Sequence, residues 1–207
     1  MAILEVGENY KFKTISEAIL VANGYDEIHI HSGFYEEVFD CFSLTFVGLP
    51  DDENDFSNYP VIHTCEQSAI KVYQPCKFSN IIFSANPKFD EKNLNLLMSK
   101  QPLTKQEIET MDVEDSLYQN EFCVHIKSDV IFENCCFVGS SEIGVILDFE
   151  DGGNRVIFKN CGLFFNSKVA LEAYSKKKKS TVVLDNCVIS KNSYGMKIGD
   201  NVNIEIL

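Results

Sequence analysis

The segments VIFENCCFVG (130–139), VIFKNCGLFF (156–165) and VVLDNCVISK (182–191) write one pattern three times at one pitch. Asn134, Asn160 and Asn186 are separated by 26 residues at each step, and Cys135, Cys161 and Cys187 keep the same interval. The segments between them, EIGVIL at 142–147, KVALEA at 168–173 and YGMKIG at 194–199, also start 26 residues apart. A repeat of ~20–50 residues marks stacked units, none of which can bury its apolar face alone. Each unit holds short runs of Val, Ile and Phe punctuated by Asn, Gly and Ser, without helical spacing, so the expected unit is a coil of β-strand. The expected fold class is all-β, a single-stranded parallel β-helix.

Alternate residues of a strand face opposite sides. Val130, Val156 and Val182, with Phe132, Phe158 and Leu184, therefore form two inward rows. Glu133, Lys159 and Asp185 form an outward row, and Ile131, Ile157 and Val183 are expected beside it as an exposed apolar row. With coils stacked in register ~4.8 Å apart, Lys159 lies between two carboxylates, each contact contributing about 0.2–1 kcal/mol. The Asn row comes where each strand must bend, because Asn tolerates left-handed backbone better than other residues with a Cβ. Stacked amides can also bond along the column. Cys follows at the corner, where a larger side chain would meet its own copies. AIKVYQPCKFSNIIF (69–83) and FCVHIKSDVIF (122–132) share the rhythm less regularly, which gives five to six coils counted from Ile28.

The chain of 207 residues fits one domain spanning 1–207, with three regular coils from about 130 to 207. Residues 14–22, TISEAILVA, read as a short helix that covers the open edge of the first coil. Thr14 and Glu17 make a capping box, Ile15, Ala18, Ile19 and Ala22 make an apolar stripe, and Asn23-Gly24 supplies the stop. Two segments leave the pattern: an acidic loop at 51–58 and a mostly polar insertion at 86–121. In the insertion a second capping box, Thr104 with Glu107, precedes Ile108 and Met111 and predicts another short helix.

A net charge of -13 works against nucleic acid as a partner, since phosphate binding needs a basic surface that releases counterions. No early apolar run has signal-peptide character, and no segment reaches ~18 uncharged apolar residues. A membrane is thus not expected, and a cytoplasmic location is. The eight cysteines then read as reduced, buried, small apolar residues. Lys176, Lys177, Lys178 and Lys179 are expected to form a solvated turn, with nuclear import or contact with an acidic partner as alternatives.

Residues 10–50 carry a resemblance. Their TISEAI, the Gly33, Tyr35 and Glu37 of GFYEE, and LTFVG are similar to the opening of pectin methylesterases, within the pectin lyase-like superfamily of right-handed parallel β-helices. The resemblance implies right-handed coils, which the period alone does not give. It also implies what catalysis would need. Methylesterases of this fold use a Gln-Asp pair, a second Asp in an FIFG-like strand and an Arg in GRPW. Polygalacturonase-like enzymes use clustered Asp with Gly-His-Gly and Arg-Ile-Lys, and pectate lyase-like sites use an Arg base beside calcium-binding carboxylates. None of these motifs is found, Trp is absent, and the one arginine, Arg155, reads as a solvated turn residue.

Four other groups can be weighed. Asp148, Glu150 and Asp151 could work as acid and base or hold calcium, but Tyr174, Lys176 and Lys177 occupy the equivalent positions one coil later, so the cluster reads as a soluble turn. His29 and His31, with His63 and Cys65, have ligand-like spacing but are expected on different sheets. Cys135 and Cys136 diverge along the strand. Gly33, Tyr35 and Glu37 read as fold determinants. No catalytic residue, metal or cofactor is expected.

The leading functional expectation is a non-catalytic module that binds another protein through Ile131, Ile157 and Val183, flanked by Glu133, Lys159 and Asp185. This resembles the use of β-helix repeats in eukaryotic F-box and Shc-binding proteins. The alternative is a polysaccharide-binding or degenerate carbohydrate-active protein with Tyr35, Tyr73 or Tyr174 as its sugar platform. NVNIEIL starts a strand at 202–206, ahead of the next repeat position at 208. That predicts either continuation in a longer protein or end-to-end self-association through the last coil.

Overall fold

The computed structural model describes residues 1–52, 58–64, 70–85, 122–140 and 142–207. The second capping box of the insertion and Cys65 lie outside the described residues. Every strand pair is parallel, and the strands fall into three sheets. The first holds β1 (Ile3–Val6), β2 (Glu27–His31), β5 (Thr45–Leu49), β8 (Cys76–Ser79), β11 (Val130–Glu133), β14 (Arg155–Lys159), β17 (Ser180–Asp185) and β20 (Val202–Ile206). The second holds β3 (Phe34–Glu36), β6 (Val61–His63), β9 (Ile82–Ser84), β12 (Cys136–Val138), β15 (Gly162–Phe164) and β18 (Val188–Ser190). The third holds β4 (Asp40–Cys41), β7 (Ile70–Val72), β10 (Phe122–Ile126), β13 (Ile143–Phe149), β16 (Val169–Ser175) and β19 (Tyr194–Ile198). Neighbours within a sheet are three strands apart in the chain, so the backbone visits each sheet once per coil. From β2 to β19 this makes six coils, the upper end of the expected range.

The inward rows stack like on like. Phe46, Phe78, Phe132 and Phe158 lie face to face at centroid spacings of 4.7, 5.2 and 5.2 Å. Phe83 and Phe137 form a second stack at 5.1 Å from the second sheet, edge-on to the first. Such pairs contribute about 0.5–1.5 kcal/mol beyond their buried area. The outward row alternates as expected and starts one coil earlier: Glu133 bonds Lys77 at 3.2 Å and Lys159 at 3.0 Å.

The bend between the first and second sheets is an amide column. Asn80, Asn134, Asn160 and Asn186 all hold positive φ, 49° to 57°. Asn134 Nδ2 donates to Asn80 Oδ1 at 3.0 Å, Asn160 to Asn134 at 3.1 Å, and Asn186 to Asn160 at 2.8 Å. The cysteine column beside it does more than fit. The Cys135, Cys161 and Cys187 thiols donate to the carbonyls of Phe78, Phe132 and Phe158, one coil back, at 3.7, 3.6 and 3.3 Å. A second column at the next bend was not expected: Phe165 and Lys191 hold positive φ, and Asn166 Nδ2 donates to Asn192 Oδ1 at 3.0 Å.

Helix α1 (Ile15–Val21) has its capping box, with Glu17 N donating to Thr14 Oγ1 at 3.1 Å and Thr14 N to Glu17 Oε2 at 3.3 Å. Glu37, one coil on, also caps it, accepting from the Ile15 and Ser16 amides at 2.7 and 2.9 Å. The expected Asn23-Gly24 stop is corrected. The helix ends in an extended Ala22, and the left-handed turn falls on Tyr25, φ 72°.

Register departs from the 26-residue step at the end. Ile143 pairs Val169, 26 residues on, but Val169 pairs Tyr194, 25 on. YGMKIG is therefore one position out of the expected frame, because the connection between Asn192 and β19 is one residue shorter than its copy. Val182 pairs Ile204, four residues short of the expected 208. The short link 199–201 replaces the lysine turn there.

Candidate functional site

The outward residues of the second sheet are largely covered: Val61, Ile82, Cys136 and Val138 are buried along with the inward side chains. The other two sheets present the accessible faces.

On the first sheet, the expected apolar row is only partly open. Ile131 is 40% exposed, Ile157 is half-buried and Val183 is 3% exposed. The correction at Val183 has a clear cause. Arg155 is not a solvated turn residue but opens β14, and its guanidinium reaches Glu205 Oε2 at 3.0 Å, two strands away. That ion pair spans β17 and closes over Val183, whose register partners are Ile157 and Glu205. What remains is a groove of about 490 Å³ lined by Ile131 and Ile157, with Tyr25, Lys77, Asp129 and Arg155 among its other walls.

The third sheet carries the richer face, in two outward rows. In one, Lys71 pairs His125, His125 pairs Ile146, Ile146 pairs Glu172 and Glu172 pairs Lys197. The other runs one position beyond the paired Val72, Ile126 and Leu147 and contains Phe42, Tyr73, Lys127, Asp148 and Tyr174. Phe42 and Tyr73 stack at 5.5 Å and are 47% and 38% exposed. Lys127 Nζ sits 5.6 Å from the Tyr73 ring, and Lys197 Nζ 5.6 Å from the Tyr174 ring.

The ionisable groups here are held in place. Glu172 is 5% exposed, accepts from the Tyr174 hydroxyl and pairs with the Lys197 ammonium. A buried carboxylate needs such partners, and the bond in turn fixes the Tyr174 ring. His125 Nε2 lies 3.9 Å from Asp148 Oδ2. Burial, reinforced by Lys127, pushes the His125 imidazole below its ordinary value, against the pull of Asp148. It is therefore neutral at pH 7, with a donor and an acceptor nitrogen. The face thus offers aromatic planes, a neutral imidazole, a part-exposed carboxylate and ammonium groups within a few coils.

The remaining sequence candidates scatter. Glu150 and Asp151 are bonded by Lys176 at 2.8 Å and Lys177 at 2.7 Å, at the equivalent positions one coil on. Those lysines hold both carboxyls below their ordinary values, so the turn neutralises the acidic cluster and half of the lysine run. Asp148 belongs instead with His125. His29 and His31 lie on the first sheet, bonded to Glu27 at 3.0 Å and Glu5 at 2.5 Å. His63 is buried on the second sheet against Phe34. Among the described residues no three ligand-type side chains meet as a metal site. Tyr35 is corrected as a sugar platform: it is 8% exposed and donates to the His31 carbonyl at 2.8 Å, tying the first bend together. Burial pushes its hydroxyl up to about 12.

His125, Glu172, Phe42 and the three lysines were missed as site residues. The period-2 reading was applied to the repeated VIF strands alone. The same reading of CVHIK, VILDF and ALEAY would have put His125, Ile146, Asp148, Glu172 and Tyr174 on one face.

The family described as "Right handed beta helix region" matches residues 51–207. Among solved structures, the Aspergillus niger pectin methylesterase in deglycosylated form superposes with a TM-score of 0.60 at 16% identity, over 99% of this chain and 67% of that one. Pectin methylesterase PemA from Erwinia chrysanthemi gives 0.53 at 13%, over 88% and 54%. A pectin methylesterase in complex with a hexasaccharide gives 0.54 at 14%, over 96% and 67%. The chain thus spans about two thirds of the length of two of these enzymes and about half of the third. No curated protein matches the sequence. At these identities the likeness concerns the fold. Among the described residues no helix is long and apolar enough to cross a membrane.

Proposed function

The chain belongs to the right-handed β-helix family, and on that premise we propose that it binds an extended polysaccharide along the outward face of its third sheet. Fold alone does not set function. The observation that carries the reading is the alignment of exposed aromatic rings, Phe42 with Tyr73 and Tyr174, with Asp148, His125 and Glu172 on adjacent strands. Tyr73 and Tyr174 stand three strands apart, ~14 Å at the usual strand spacing, so a ligand touching both rings runs along the helix axis. Support of a second kind comes from the structural relatives, which act on pectin and include one solved with a hexasaccharide.

Titration calorimetry with pectic and neutral oligosaccharides tests this. Tyr73→Ala and Asp148→Asn each weaken binding at least about tenfold, or ~1.4 kcal/mol. Binding unchanged in both variants, or no binding by the parent chain, refutes the reading. Release of methanol or of reducing ends during the same titrations would make the protein an enzyme rather than a binder.

A second reading rests on the first-sheet groove. Its Ile131 and Ile157 lining and the flanking Lys77, Asp129 and Arg155 suit an extended protein segment carrying apolar side chains. Ile157→Arg then abolishes recovery of a partner that Tyr73→Ala leaves bound; the reverse pattern rejects this surface.

A further inference from the structure

We propose that Cys76 and Cys41 form a peroxide-reactive dithiol, with Cys76 as the attacking sulfur and Cys41 as the resolving one. The corner between the third and first sheets brings them together. Tyr73 N donates to the Cys41 carbonyl and Lys77 N to the Leu44 carbonyl, both at 3.1 Å. The bend 42–44 therefore lies directly on the bend 73–75, and both cysteines enter the same core at that corner. Cys41 is fully buried, whereas Cys76, 7% exposed, lines the 490 Å³ groove of the first sheet. A small oxidant entering that groove meets one sulfur and not the other.

The Cys76 sulfur is surrounded by donors. It accepts from the Cys41 thiol and from the backbone amides of Leu44 and Ser43. Donors aimed at sulfur favour the thiolate, which is the nucleophile. The Cys41 thiol draws Cys76 below its ordinary value, while burial keeps Cys41 protonated, well above its own. Elsewhere burial pushes Cys123 and Cys136 up to about 12, and the Cys135 thiol raises Cys161. Those thiols are inert by the same reasoning.

The chemistry balances with a hydroperoxide as oxidant. Cys76 thiolate attacks the terminal peroxide oxygen; the S–O bond forms, the O–O bond breaks, and the leaving oxygen takes a proton as water or an alcohol. Cys41 then attacks the Cys76 sulfenic acid. The S–S bond forms, the S–O bond breaks, and the departing hydroxide takes the Cys41 proton as water. Two thiols are oxidised by two electrons and one peroxide is reduced.

Two measurements on the unaltered chain decide it. Under native conditions at neutral pH, iodoacetamide labels Cys76 at least about tenfold faster than Cys123, Cys136 or Cys161. After hydrogen peroxide, the intact mass falls by two hydrogen atoms and digestion yields a linked Cys41–Cys76 peptide. Cys41→Ser blocks the linkage and leaves a dimedone adduct on Cys76. Equal labelling rates, or peroxide treatment that yields no linked peptide, overturns the proposal, whether or not the variant folds.

Discussion

Replacing Asn160 by alanine isolates what holds the coils in register. Asn160 sits mid-column, donating to Asn134 Oδ1 at 3.1 Å and accepting from Asn186 Nδ2 at 2.8 Å, at φ 51°. Alanine loses both bonds. At an exposed site each contributes near the low end of the usual range, about 0.5–1 kcal/mol. Alanine must also hold left-handed backbone without the local compensation of an amide, which costs about 1–2 kcal/mol. The expected loss is about 2–4 kcal/mol, read as a lower urea midpoint at unchanged slope. Asn160→Gly separates the two contributions. It gives up the ladder but keeps the backbone, and remains about 1 kcal/mol more stable than Asn160→Ala. A loss below ~0.5 kcal/mol in the alanine variant, or identical midpoints for the two, refutes the column as a source of stability.

Other consequences follow from the same geometry. Phe132→Ala removes the ring that touches Phe78, Phe158, Phe83 and Phe137 and should cost about 3–5 kcal/mol in urea unfolding; a loss below 1 kcal/mol would mean that the stack is loosely packed. At Gly48 an added Cβ would lie 1.9 Å from the backbone oxygen of Asn80, so Gly48→Ala should destabilise by about 1–3 kcal/mol or more by forcing two coils apart, and full native stability would show that the approach is not as close. Glu133 is held below its ordinary value, first by Lys159 and then by Lys77. A depressed carboxyl contributes stability above its unfolded value and loses it as pH falls through its native value. Glu133→Gln should thus flatten the acid limb of the stability curve and leave the limb above neutrality in place, whereas parallel curves for parent and variant would dismiss the ion-pair row.

The sequence made the stacking legible because stacking imposes identity from coil to coil. Asn, Cys, Phe and alternating charge recur at 26 residues only where side chains meet their own copies, as Asn134, Asn160 and Asn186 do. The face of the third sheet was harder to see for the opposite reason. Its outward positions change from Lys71 to His125, Ile146, Glu172 and Lys197, and nothing repeats, since a recognition surface has no need of copies. Val183 illustrates a further limit. Its outward direction was readable from alternation, but its burial depends on Arg155 meeting Glu205, 50 residues on, across a register that the shortened last coil sets. Tyr35 likewise faces a bend whose closure no local pattern reveals.

Mapping the bound ligand by backbone amide chemical shifts tests the central claim most directly. On titration with a pectic oligosaccharide, the account predicts shifts concentrated at residues 71–73, 125–127, 146–148 and 172–174, on four adjacent strands of the third sheet, with Ile131 and Ile157 unmoved. Shifts centred on Ile131 and Ile157, or scattered over all three sheets, would contradict it.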